Sequence, residues 1–222
     1  DVERFLDWID RGDPHLVSEH VTASRMDDWY NTSASWPSGT PDMIAWLERL
    51  EETLPLIENA ETGTRIGIGV ATGADAVYVA REPHLPDVEA ERLLPLAHAA
   101  DVRSGVFASS GYRLVSPWTA DGLVDLDDFP KLGAYYDAHA DRLTRRNVAK
   151  RSGPAWFRTI DRVNHDLLGS DMLVLGDMRK HISPVRVPAG FYPHHNLYFI
   201  VSTAWDLDVL GGLLLADVVE AQ

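Results

Sequence analysis

The sequence predicts an α+β fold: a mixed sheet with β-hairpins and packed helices. Three observations lead there. Short apolar segments of strand length, such as MLVL at 172–175 and LYFIV at 197–201, are bounded by Gly- and Pro-bearing turns. Other segments repeat their apolar residues at the helical period. The two kinds do not alternate in the regular order that a parallel βαβ sheet requires.

In chain order, Phe5, Trp8 and Ile9 mark an N-terminal helix, and residues 27–41 read as a loop rich in Ser, Thr, Gly and Pro. Thr40 is placed to cap a helix opened by Pro41, with Met43, Leu47, Leu50, Leu54 and Ile57 on one face, running to about Asn59. Residues 65–80, RIGIGVATGADAVYVA, alternate on both sides of Thr72-Gly73-Ala74-Asp75, which predicts a hairpin. Its glycines are spaced G-x-G-x-x-x-G, not as a dinucleotide loop, and a strand is expected where a phosphate-binding helix would start. Strands are expected at 93–97 and 112–115, and a long helix from about Phe129-Pro130 to Ser152-Gly153-Pro154. Leu132, Tyr136, His139 and Leu143 form its apolar stripe. The acidic run Asp125, Asp127, Asp128 suits the dipole at that helix's N-terminus better than it suits a metal. Val185 and Val187, set between prolines, read as an edge strand, and Asp206 opens a last helix carrying Leu207, Leu210, Leu214 and Val218. We expect residues 1–60 to form a helical linker or packing segment and residues 61–222 the main domain.

The net charge of −14 argues against indiscriminate coating of nucleic acid, because phosphate repulsion would have to be overcome. One segment breaks the trend: residues 131–165 hold eight Lys/Arg against three Asp/Glu, while every other part of the chain is net negative. On the expected helix, Arg142, Arg145 and Arg146 cluster at i+3 and i+4 spacing, followed by Lys150 and Arg151. Arg158 and Arg162 follow, four apart, beside Trp156 and Phe157. Cations interleaved with aromatics are the footprint of a surface that meets a polyanion. A solvated helix face is the competing reading for the first set, and structural bracing for the second.

Chemistry is otherwise sparse. Zero cysteines exclude disulfides, thiol catalysis and Cys-ligated zinc, and fit a reducing cytoplasm. No apolar run approaches the roughly 18–20 residues of a membrane span. The acidic start is unlike a targeting peptide, and without an initiator Met it reads as an excised fragment. His194 and His195 lack a third ligand at metal-site spacing, and adjacent rings rarely share an ion, so no metal is expected. With Asn196 they read as hydrogen-bond partners, either to DNA or within their own loop. No nucleophile elbow, phosphate loop, protease triad or acid–lysine nuclease set is present, so no catalytic residue is assigned.

Five stretches in this order, RIGIGVATGADAVYV, WFRTIDRV, LVLGDM, FYPHHNLYFI and WDLDVLGGLLL, resemble the C-terminal region of bacterial N6-adenine DNA methyltransferases of the restriction–modification and phage-defence type. That region is related to the TaqI-like specificity domain, and the likeness covers roughly residues 27–217. In that family an N-terminal domain binds S-adenosylmethionine and holds the flipped adenine at an Asn-Pro-Pro-Tyr/Phe motif. This sequence has no Asn-Pro-Pro and no D-x-x-G-x-G loop, so those parts are expected before Asp1. The resemblance therefore implies target recognition on double-stranded DNA, with no cofactor in this fragment and an N-terminal catalytic domain as partner. On this reading Arg142, Arg145, Arg146, Lys150 and Arg151 contact phosphates, and Arg158, Arg162, His194, His195 and Asn196 are candidates for the groove. The alternative is a non-catalytic scaffold that docks the methyltransferase or a defence partner through its acidic faces.

Overall fold

The structure is a computed structural model and describes residues 1–25, 41–177, 181–216 and 219. It has helices together with antiparallel and mixed sheets, an α+β fold. The chain divides into two compact units at the Ile57–Glu58 junction.

The first unit contains helix α1 (Val2–Arg11), the hairpin strands β1 (His15–Val17) and β2 (Thr22–Ser24), and helix α2 (Pro41–Thr53). Gly12 ends α1 in the left-handed conformation, the usual glycine stop. Arg25 donates to the carbonyls of Trp8, Ile9 and Asp13 and lies over the Trp8 ring, so its charge is used internally. Helix α2 stops at Thr53 and not near Asn59. Leu54 precedes Pro55, which disfavours helical geometry, and Leu54, Leu56 and Ile57 end up exposed. The loop at 27–41 and its Thr40 cap lie outside the described residues, save Pro41 at the start of α2.

The second unit holds two four-stranded sheets. In chain order its elements are β3 (Arg65–Ile68), α3 (Asp75–Tyr78), β4 (Val79–Arg81), β5 (Leu93–Ala97), β6 (Tyr112–Val115), α4 (Pro130–Ala138), α5 (Ala140–Leu143), α6 (Asn147–Ser152), β7 (Met172–Gly176), β8 (Val185–Val187), β9 (Tyr192–Pro193), β10 (Leu197–Val201) and α7 (Leu207–Leu214). One sheet has the order β3-β10-β7-β8 and is antiparallel throughout. The other is β4-β6-β5-β9, with β9 parallel to β5.

Residues 65–80 are therefore not a hairpin. β3 pairs with β10 and β4 with β6, in different sheets, and a helical turn stands between them where continuous alternation predicted a strand. Gly69 explains the local path: a Cβ there would lie 2.3 Å from the carbonyl oxygens of both Pro193 and His194. The glycine lets the chain press against the β9–β10 connection, where Gly69 N–H and Val70 N–H donate to Leu197 and Pro193.

Strand alternation builds two cores. Met172, Val174, Leu197 and Phe199 join the main one with Leu96, Leu114, Leu132 and Tyr136, whereas Leu173 and Ile200, paired in register, face Leu207 and Leu210 of α7. Asp206 caps α7, accepting from the N–H groups of Asp208 and Val209; Val218 lies outside the described residues. The N-terminus of α4 is capped from elsewhere in sequence: Glu89 accepts from Lys131 and Leu132 N–H. Burial raises the Glu89 pKa, but those two donors and the Lys131 charge outweigh it and leave it lowered. Asp125 instead closes a turn before the helix by accepting from Asp127 N–H.

Candidate nucleic-acid interface

The long helix expected from about 129 to 152 is three short ones. Thr144 and Asn147, both weak helix formers, flank the break between α5 and α6, and Arg146 takes an extended backbone there. The break separates neighbouring arginines. Arg142 and Arg145 stay exposed, as do Lys150 and Arg151 in the last turn of α6. Arg146 turns inward. Its guanidinium donates to Thr72 O and Trp156 O and to the Tyr78 hydroxyl, each at 2.9 Å, and to Leu143 O at 3.0 Å. It also stacks 5.1 Å from the Tyr78 ring centre. Burial keeps the Tyr78 hydroxyl protonated, its pKa well above the usual value despite the adjacent guanidinium, so it donates onward to Phe157 O. The expected outward cluster of three arginines is thus corrected: Arg146 braces the fold.

The WFRTIDRV segment is pinned to the same place. Asp161 and Ala71 exchange two hydrogen bonds, Ala71 N–H to the Asp161 carboxylate at 2.9 Å and Asp161 N–H to Ala71 O at 3.1 Å. Phe157 is buried, Trp156 packs on the core, and Thr159 accepts from the Trp118 indole at 2.7 Å. Arg158 is half-buried over Trp118 and donates to nearby carbonyls. Arg162 is exposed, holds Ala120 O through one nitrogen, and lines an open cleft of about 350 Å³ with Asn164, His165 and Asp166. No local pattern marks this cleft, because Ala120 lies 42 residues before Arg162 in the chain. Among the described residues no carboxylate forms an ion pair with Arg142, Arg145, Lys150, Arg151 or Arg162.

His194 is only 2% exposed and stands 3.2 Å from Asp75, an interior ring position that agrees with the loop-bracing alternative of the two expected for it. Burial lowers its pKa, partly offset by the Asp75 charge. His195 and Asn196 are half-buried, with backbone bonds to Val70 O and from Asp177 N–H. The two adjacent histidine rings do converge, at 4.1 Å between centres, and ligand atoms of Asp75, His194 and His195 all lie within 4.8 Å of one another. Sequence spacing missed this set because Asp75 reaches it only through the β3–α3 loop seated on Gly69.

These contacts place four of the motif-bearing stretches in one knot, where loop 69–75 meets 156–161 and 193–197 with β7 alongside β10. The chain is related along almost its whole length to a class of restriction–modification enzymes, the Type II methyltransferases. It is 38% identical to Type II methyltransferase M.BstVI of Geobacillus stearothermophilus over 99% of this chain and 39% of that protein. It is 42% identical to M.XhoI of Xanthomonas vasicola over 85% of this chain and 34% of the relative, and 37% identical to M.PaeR7I of Pseudomonas aeruginosa over 85% and 32%. The chain thus spans between 32% and 39% of the length of the curated relatives it matches. No family model matches it.

Proposed function

We propose that the chain, through residues 61–222, is the DNA recognition domain of an S-adenosylmethionine-dependent adenine-N6 methyltransferase, holding duplex DNA for a catalytic domain elsewhere in the parent protein. The observation that carries this reading is the set of five exposed cations, Arg142, Arg145, Lys150, Arg151 and Arg162, without an acidic partner among the described residues of an otherwise acidic chain. Five unpaired cations near one another in sequence favour a polyanion, and kinship with Type II methyltransferases makes DNA the polyanion of choice. A base must leave the duplex before its amino group can be methylated, so such an enzyme needs a part that grips the helix and selects the site. Phosphate contacts fix register without reading sequence; Arg162 beside its cleft and the Asn196 side-chain NH2, whose Oδ1 is itself buried, are the groups suited to base edges.

Fluorescence anisotropy with a labelled duplex tests this. The unaltered chain binds; alanine at Arg142, Arg145, Lys150 and Arg151 weakens binding to all sequences alike, and Asn196→Ala weakens binding mainly to the target. A second reading, a module docking the catalytic part or a defence partner, draws on the exposed apolar side chains Leu6 and Ile9 of α1. Absence of duplex binding together with co-elution of the catalytic segment would favour it.

A further inference from the structure

Asp75, at the start of α3, and the adjacent His194 and His195, between β9 and β10, come together, with one ligand atom of each within 4.8 Å of the others. His194 Nε2 is 3.2 Å from an Asp75 carboxylate oxygen. Two ligand atoms sharing an ion through bonds of about 2.0–2.1 Å stand about 3–3.5 Å apart, so this edge already has the required length. The 3.2 Å contact lacks hydrogen-bond geometry. His194, though buried, has no hydrogen-bond partner on either ring nitrogen among the described residues, and His195 Nδ1 is buried in the same state. Buried polar atoms are nearly always satisfied. Three unpartnered imidazole nitrogens beside a carboxylate call for a cation.

We propose that Asp75, His194 and His195 bind one divalent transition-metal ion of the zinc type. Two imidazoles and one carboxylate select such an ion over Mg²⁺ or Ca²⁺, which prefer all-oxygen shells. The surroundings also orient the ligands. Thr72 donates its hydroxyl to the other Asp75 oxygen at 2.5 Å, and His98 packs between Tyr112, stacked at 4.3 Å, and His194, tilted at 5.2 Å. Asp75 is 46% exposed, so the fourth position opens to solvent. The ion fastens the loop after β3 to the β9–β10 connection and so holds the Asn196 backbone. The site stands whether or not the chain binds DNA.

Chelator-treated protein titrated with Zn²⁺ by calorimetry should take up one equivalent and melt at a higher temperature. Co²⁺ should give the intense visible band of a nitrogen-ligated, four-coordinate ion. His195→Ala and Asp75→Asn should each weaken binding by about 100-fold or more, and Thr72→Val, which removes only the orienting hydroxyl, by about 10–100-fold. His84→Ala, on the exposed surface, should change nothing. Saturable binding that survives the Asp75→Asn/His195→Ala double variant overturns the assignment. So does an aquo-like Co²⁺ spectrum in the unaltered chain, a result that depends on no variant folding.

Discussion

Arg145 and Arg146 are neighbours in sequence and stand in two different regions of the molecule. On the exposed side lie Arg142, Arg145, Lys150, Arg151 and Arg162, which offer their charge to solvent. By contrast, Arg146 and Arg158 spend their polar groups on the loop 69–75 and the carbonyls and ring around Trp118. Residue type does not separate the two regions; the backbone break after α5 does. A guanidinium that satisfies three carbonyls and a tyrosine cannot be withdrawn for a phosphate without leaving those acceptors unpaired. A guanidinium in water loses little when it binds one. The knot thus gives rigidity, and the face gives adjustable charge.

The largest effect should come from the knot. Arg146→Ala removes four charge-assisted hydrogen bonds and should cost about 3 kcal/mol in urea denaturation. Lysine should restore little, since a point charge cannot replicate the fork. If instead Arg146→Ala left stability intact and weakened DNA binding as Arg145→Ala does, the two regions would be one. Gly69→Ala comes next. Its Cβ would meet backbone oxygens that cannot rotate away, so a loss of about 2–3 kcal/mol is expected from the same measurement.

Arg186 sharpens the comparison from a third side, being exposed yet paired to Asp171 and Asp208. Ala189 N–H and Arg186 hold the Asp171 carboxyl below its usual range. A lowered folded-state pKa means stability present above the unfolded value of about 3.9 and lost as pH falls through the folded one. Asp171→Asn should therefore cost about 1 kcal/mol at neutral pH, discounted for its exposure, and should flatten the acid limb of a pH–stability curve. An unchanged acid limb would show that the pair contributes nothing. The smallest stability change belongs to the face: Arg145→Ala and Arg151→Ala should stay within about 0.5 kcal/mol of the unaltered chain.

Much of this fold can be read from residues one at a time. Leu197–Val201, Met172–Gly176 and the Asp206 cap follow from short-range pattern, and the structure has them where pattern puts them. The failures share a cause. The hairpin at 65–80 and the single helix at 129–152 were plausible by local periodicity, but partners far along the chain took their hydrogen bonds. β10 claims β3, and Thr72 and Trp156 claim Arg146. The same holds for the candidate site. Exposure of Arg142, Arg145, Lys150 and Arg151 agrees with their place at helix ends, whereas the burial of His194 beside Asp75 depends on a contact between loops that no spacing rule encodes.

The division between a gripping face and a bracing knot is tested most directly by the salt dependence of duplex DNA binding. Four phosphate contacts, from Arg142, Arg145, Lys150 and Arg151, give log K against log salt a slope of about −3.6. The Arg145→Ala/Arg151→Ala double variant should flatten it by about 2, with its folding unchanged. A slope near zero in the unaltered chain, or one that the double variant leaves alone, would contradict the account.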